Sequence, residues 1–247
     1  SMGAAARYGN GDVQWMTAGN GVVHSEMFPL VHRDSPNPTE LFQIWLNLPR
    51  EDKRRDAHFT MFWRESVPVH HFTDDQGRAV TLTLIAGEVE GVKAPAPPPA
   101  SWASREASDV AIWTLKLAPH ARWTAPPAAS ADSHRIFYLF TGEGATIGGH
   151  DVAPKHAAQV RPDSSVTLVN GPAESELLML QGRPIGEPVA QRGPFVMNSS
   201  AEIRQAMMDY QRTGFGGWPW DEDAPVHERD KGRFALHADG HEERPPA

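Results

Sequence analysis

The feature that most constrains this fold is the regular alternation of short apolar segments with turn residues. Segments 79–87, 110–117, 135–140, 165–169 and 176–180 are rich in β-branched and other apolar residues, and Gly, Pro and Asp separate them. Glycine and proline supply about 17% of the 247 residues, against ~12% in an average protein. Strands at this spacing, with no helices between them, predict an all-β protein built as a sandwich or barrel.

Two further segments carry a definite prediction. Residues 41–48 read Leu-Phe-Gln-Ile-Trp-Leu-Asn-Leu, which predicts a strand buried on much of both faces. One helix is predicted after Ser199 and Ser200, because Glu202 falls in the first turn and Gly214 can end the helix. Its apolar residues recur with helical spacing at Ile203, Ala206, Met207 and Tyr210.

The composition excludes several classes of protein. There is no cysteine, so disulfides, thiolate metal sites and thiol nucleophiles are excluded. A formal charge of −8 argues against direct nucleic-acid binding, which needs a basic face. No apolar run reaches the ~18 residues of a membrane span, and the first residues lack the apolar core of a secretory signal. We therefore expect a cytoplasmic protein that does not bind membranes.

The densest candidate site is the segment 11–27, which contains His24 and Glu26. If this segment is a strand, residues two apart point to the same face, about 6–7 Å from each other. An imidazole and a carboxylate could then converge on a non-haem iron, manganese or nickel ion. Spacing alone favours the alternatives of a His–Glu hydrogen bond or a solvated edge, because a metal needs three or more ligands.

The segment 11–27 also resembles the signature of the pirin family, which belongs to the cupin superfamily. Further segments resemble the same family in the same order along almost the whole chain: 41–48, 85–88, 182–189, 193–198 and 214–220. The block Gly193-Pro194-Phe195-Val196-Met197-Asn198 is a specific match.

The resemblance implies a bicupin, with two cupin-type antiparallel β-barrel or jelly-roll domains and a short C-terminal helix. Residues 1–95 would form the N-terminal cupin domain, which carries the metal half-site and lacks several strands of the family's first barrel. Residues 96–108 would be a Pro-rich linker, and residues 109–213 the C-terminal cupin domain. The tail, 214–247, is interpreted as lying across the surface.

In pirins one metal, usually iron, is held in the first barrel by three histidines and one glutamate. The resemblance makes His24 and Glu26 the ligands from the family's His-x-Glu motif, with Fe2+ expected and other divalent transition metals as alternatives. The family's earlier His-x-His motif is absent, so the site is incomplete in this chain, and the sequence leaves open a fragment or a natural truncation. His70-His71 could replace that motif, but this pair is interpreted as part of a polar surface loop.

The resemblance further implies a quercetin 2,3-dioxygenase-like enzyme, in which metal and O2 cleave the central ring of a flavonol. Glu26 would then be both a ligand and the catalytic base, and the partners would be a flavonol-like molecule and O2. An alternative is a non-enzymatic iron-binding regulator that contacts other proteins. A third alternative is a metal-free structural protein.

Overall fold

The computed structural model describes residues 1–28 and 30–246, and most secondary-structure elements in this part of the chain are short strands. In chain order the strands are β1 (Ala5–Arg7), β2 (Val13–Thr17), β3 (His58–Phe62), β4 (Val69–Thr73), β5 (Ala79–Ala86), β6 (Glu88–Val89), β7 (Val92–Lys93), β8 (Ala111–Leu117), β9 (Arg122–Ala125), β10 (His134–Thr141), β11 (Ala145–Ile147), β12 (His150–Val152), β13 (Ala157–Val160), β14 (Val166–Asn170), β15 (Ser175–Gly182), β16 (Ala190–Arg192), β17 (Phe195–Met197), β18 (Phe234–Leu236) and β19 (Glu242–Glu243). Short 3-10 helices lie at Arg50–Asp52, Trp102–Ser104, Glu106–Ser108 and Gly214–Gly216. The predicted all-β class is confirmed.

The chain divides into two compact units: unit 1 is Ser1–Arg64 with Gly186–Ala247, and unit 2 is Glu65–Ile185. Unit 2 contains two large antiparallel sheets and the short antiparallel pair β6-β7. The larger has six strands in the order β13-β10-β15-β8-β5-β4, and the smaller has four in the order β12-β11-β14-β9. Two facing antiparallel sheets of this kind are the jelly-roll architecture typical of cupins.

The core of unit 2 lies between these two sheets. On β5 the residues alternate as the sequence predicts, with Leu82 and Leu84 fully buried and the intervening Thr83 half-buried. The core combines such residues from the six-stranded sheet with residues from the four-stranded sheet, among them Leu168 and Trp123. The inside of unit 2 is therefore filled by apolar side chains.

The Pro-rich stretch lies within unit 2 and does not separate the two units. Strand β5 precedes this stretch and β8 follows it, and the two strands pair directly, with Leu82 opposite Leu115. The interpretation of His70-His71 as a polar loop is wrong, because both residues belong to β4, which pairs with β5. The alternation of half-buried and exposed residues on this edge strand gives it little apolar signal in the sequence.

Unit 1 contains smaller sheets. Strands β1, β18 and β19 form one sheet in the order β1-β18-β19, while β2 pairs with β3 and β16 pairs with β17. The interpretation of the tail as a surface segment is wrong in part: Phe234 and Ala235 on β18 are buried. Ala235 packs with Met61 and Trp63 in a small core of unit 1.

The single predicted helix is confirmed as α1 (Ser200–Thr213). The side chain of Ser199 accepts a hydrogen bond from the backbone N–H of Glu202, whose carboxylate in turn accepts one from the N–H of Asn198. This reciprocal arrangement is a capping box. The helix ends at Gly214 in the left-handed conformation (φ 55°). No helix in the described part of the chain has the length and apolarity needed to cross a membrane.

The prediction of a buried strand at 41–48 is wrong. These residues form no strand, and Leu41, Phe42, Ile44 and Trp45 are exposed, with Trp45 at 60%. An apolar extended segment becomes a buried strand only when a neighbouring strand and a second layer cover it. Apolarity alone therefore overpredicted burial here.

Candidate functional site

The candidate site follows a tight turn whose shape depends on glycine. The N–H of Gly21 donates to the carbonyl of Ala18 at 2.9 Å, and the N–H of Asn20 donates to the carbonyl of Arg55 at 2.8 Å. A Cβ on Gly19 would lie 2.1 Å from the same Arg55 oxygen, so only glycine fits there. This turn (18–21) fixes the direction in which the chain leaves toward His24.

The imidazole of His24 and the carboxylate of Glu26 converge. The Nδ1 atom of His24 lies 3.9 Å from Oε1 of Glu26, and the two side chains are 42% and 47% exposed. Residues 22–28 form no strand, so the two side chains meet without the regular pleat on which the sequence argument relied. The separation is too long for a hydrogen bond between the two groups.

Hydrogen bonds on either side of His24 hold its backbone segment. The N–H of Val23 donates to Oγ of Ser1 at 3.0 Å, and the hydroxyl of Ser25 donates to the carbonyl of Asp223 at 2.9 Å. Both contacts come from residues distant in sequence, and neither could be predicted from the local motif.

Tyr8, which the sequence does not mark as functional, lies close enough to Glu26 for the carboxylate charge to act on its phenol. Burial, followed by the negative charge of Glu26, raises the pKa of the Tyr8 phenol above its ordinary value. Its hydroxyl donates to Oε1 of Gln14 at 3.5 Å. Tyr8 follows β1 directly and carries no motif, so only the fold reveals that it lies near Glu26.

The donor chemistry of the site fits a transition metal, but the number of donors is small. Neutral imidazole nitrogen and carboxylate oxygen together suit iron and related divalent ions. Among the described residues there is no group of three or more His, Cys, Asp or Glu side chains that could hold a metal ion. His24 and Glu26 can therefore serve as part of a ligand set and not as a whole one.

The other histidines do not add to this pair. His70 stacks on Phe72 with a centroid distance of 4.1 Å, and Nδ1 of His71 lies 3.2 Å from the hydroxyl of Thr81. His120 and His134 are exposed in unit 2, as their interpretation as structural or surface residues predicts. These contacts give His70 and His71 local structural roles.

The comparisons with known proteins point to a single family. The family description "Pirin" matches residues 1–46, and the description "Pirin C-terminal cupin domain" matches residues 112–216. A crystal structure of quercetin 2,3-dioxygenase from Acinetobacter baumannii superposes with a TM-score of 0.65 over 87% of this chain and 75% of that one. At 23% identity this likeness shows the fold alone, and the cupin description of residues 112–216 comes from the family match.

Relatives with similar sequences show which family this chain belongs to. A Vibrio cholerae protein named "Putative quercetin 2,3-dioxygenase" is 35% identical over 215 residues, which are 87% of this chain and 71% of that protein. Human Pirin is 31% identical over 87% of this chain and 68% of its own length, and Pirin-1 of Arabidopsis thaliana is 33% identical over 83% and 66%. This chain belongs to the pirin family. It matches about two thirds of the length of these relatives.

Proposed function

We propose that this chain acts in a metal-dependent quercetin 2,3-dioxygenase of the pirin type, with His24 and Glu26 as metal ligands. The observation that carries the proposal is the convergence of one imidazole and one carboxylate at 3.9 Å beside a rigid glycine turn. The name of the Vibrio cholerae relative supports the same reaction class. The substrates would be a flavonol-like molecule and O2.

The residues of the site suit this chemistry. An iron-type ion, when bound, would make a coordinated hydroxyl more acidic and supply the redox chemistry with O2. His24 would contribute a neutral imidazole nitrogen. Glu26 has two carboxylate oxygens, so one can bind the ion while the other accepts the proton of the flavonol 3-hydroxyl.

Some half-buried apolar side chains nearby in sequence could receive the flat flavonol rings, although Trp15 and Met16 are successive residues of β2 and only one of them can face a given surface. Trp15, Met16, Val22 and Met27 are all half-buried. Burial of an apolar ring against such side chains stabilises binding by about 25 cal/mol per Å2 removed from water. Because iron sites with O2 chemistry use at least three protein ligands, the proposal requires at least one ligand besides His24 and Glu26.

The test is iron binding followed by quercetin turnover. Purified protein is titrated with Fe2+ under anaerobic conditions, its metal content is measured, and loss of flavonol absorbance is followed after O2 is added. His24→Ala and Glu26→Gln should each weaken metal binding and abolish turnover. The matched controls, His156→Ala and Glu143→Gln, change exposed residues of unit 2 and should leave both unchanged. Unchanged iron content in both ligand variants would refute the assignment.

An iron-binding regulator that contacts other proteins is a second candidate function. Its support is the set of exposed apolar side chains in 28–45, among them Phe28, Leu30 and Trp45. Exposed apolar patches on a folded protein commonly mark interaction surfaces. Iron binding without quercetin turnover would favour this alternative over the enzyme.

A further inference from the structure

The segment after helix α1, residues 214–223, contacts the candidate site at two points. We call it the post-helix segment. The first point is Gly21, whose backbone lies against the ring of Phe215: a Cβ on Gly21 would be 2.6 Å from Cγ, Cδ1 and Cδ2 of that ring. Gly21 also has a φ of +123°, which side chains other than glycine rarely adopt. The face of the Phe215 ring therefore packs against the turn 18–21, which leads to His24.

Phe215 makes this contact from an unfavourable backbone conformation. It has φ 50° and ψ 43°, in the left-handed region that bulky residues avoid. Its N–H donates to the hydroxyl oxygen of Thr213 at 3.1 Å. Its ring packs on Tyr210 at 5.2 Å and on Phe195 at 6.2 Å. Strained residues of this kind persist only where the surroundings fix them, and they cluster at functional sites.

The second point of contact lies between the two proposed ligands. The hydroxyl of Ser25 donates to the carbonyl of Asp223 at 2.9 Å. The post-helix segment is itself folded, since the indole N–H of Trp218 donates to the carbonyl of Glu222 at 2.9 Å. The post-helix segment therefore contacts Gly21, three residues before His24, and Ser25, one residue after it.

We infer that Phe215 is a positioning residue for His24 and Glu26, and that the post-helix segment sets the backbone from which both side chains project. All of these residues belong to unit 1. The inference rests on the proposed function for the role of the metal, but the mechanical coupling of Phe215 to residues 18–27 does not depend on that role.

The test combines a metal-free readout with a metal readout on the whole 247-residue chain. Hydrogen–deuterium exchange of the metal-free protein reports the order of residues 18–27. Titration with Co2+, followed by its visible absorption, reports both affinity and ligand geometry. Phe215→Ala should speed exchange in 18–27 at least ~10-fold and weaken Co2+ binding ~10–100-fold, the usual cost of losing a residue that orients metal ligands.

The matched control is Phe72→Ala, which removes a half-buried phenylalanine from unit 2. It should lower thermal stability while leaving exchange in 18–27 and Co2+ binding as in the wild type. A second test compares Gly21→Ala, Phe215→Ala and the double variant that carries both substitutions. The ring that a new Cβ would meet is absent in the double variant, so it should lose less order than the two single effects added together.

Unchanged exchange in 18–27 in Phe215→Ala would overturn the inference, and so would faster exchange with unchanged Co2+ affinity. Additive effects of Gly21→Ala and Phe215→Ala would also count against it. If the wild-type protein binds no Co2+, the proposed metal site fails. The exchange data alone then decide whether Phe215 positions this segment.

Discussion

The side chain of Asn170, at the end of β14, joins the end of β8 to the loop that follows β14. Its Nδ2 atom lies within hydrogen-bond distance of three carbonyls, those of Leu117 at 3.0 Å, Ala118 at 2.9 Å and Ala173 at 2.8 Å. Its Oδ1 accepts from the N–H of Gly171 at 2.8 Å. The residue is 4% exposed, so water cannot replace these partners. We predict that Asn170 is among the costliest polar residues of unit 2 to replace.

The size of the effect follows from counting hydrogens. An amide NH2 carries two hydrogens, so three carbonyls share two donors, and the side chain makes at most three full hydrogen bonds. At ~1 kcal/mol net for each bond, Asn170→Ala should lower the free energy of unfolding by about 3 kcal/mol. For a chain of this size, that corresponds to a fall in Tm of about 6–12 °C.

Asn170→Asp should cost more than Asn170→Ala at neutral pH, although it keeps the shape of the side chain. A carboxylate would face three carbonyl oxygens without a hydrogen to donate. As the pH is lowered the carboxyl gains a proton and can donate once, so the aspartate variant should recover relative to the alanine variant.

Urea unfolding and thermal melts of both variants, measured from pH 7 to pH 4, provide the assay. The control, Gln159→Ala, removes an exposed amide from β13 and should stay within ~0.5 kcal/mol of the wild type. A loss below 1 kcal/mol in Asn170→Ala, or an aspartate variant no worse than the alanine variant at pH 7, would refute the reasoning.

Three further predictions concern other parts of the fold. Ser199→Ala removes the cap of α1 and should cost about 1 kcal/mol in urea unfolding, whereas Ser199→Thr, which keeps the hydroxyl that caps the helix and donates to the Glu202 carboxylate, should not. Gly142→Ala should cost about 1–3 kcal/mol, since φ is +121° and a Cβ would lie 2.0 Å from Oγ of Ser175; an unchanged melting temperature would contradict this. Backbone hydrogen bonds from Arg78, Arg122 and Gln76, with a further bond from the Arg78 side chain, hold the pKa of Asp74 well below its usual range. Above the ordinary carboxyl pKa, the wild-type protein should therefore be more stable than Asp74→Asn. This difference should disappear as the pH falls through the lower folded-state pKa of Asp74. Urea unfolding midpoints of both proteins, measured at each pH, check this prediction.

Much of unit 2 could be predicted from the sequence because its strands have strong local patterns. The alternation of threonine and leucine in β5 was enough to predict both the strand and its buried face. Helix α1 was predictable for the same reason, since its cap and its apolar spacing lie within one short segment. The pairing of β5 with β8 could not be predicted, because it depends on contacts across the Pro-rich stretch.

The errors arose where burial depends on distant partners. The apolar segment 41–48 is exposed, whereas the charged tail contributes the buried Phe234 and Ala235 through pairing of β18 with β1. At the site, Nδ1 of His24 lies 3.9 Å from Oε1 of Glu26, but residues 22–28 form no strand, so the spacing argument does not account for this approach. The proximity of Tyr8 to Glu26 and the contact of Phe215 with Gly21 could not be predicted, because these residues come from other parts of the chain. The metal itself remains a prediction.

The pairing of β1 with β18 has a consequence for synthesis of the protein on the ribosome. Unit 2 is a continuous stretch of the chain and can fold while later residues are still being translated. One sheet of unit 1 joins β1 to β18, which is more than 220 residues later, so this pairing cannot form until Phe234–Leu236 have been synthesised. During that interval Met61 and Trp63 also lack the covering Ala235, and nascent chains paused there would be the ones most dependent on chaperones.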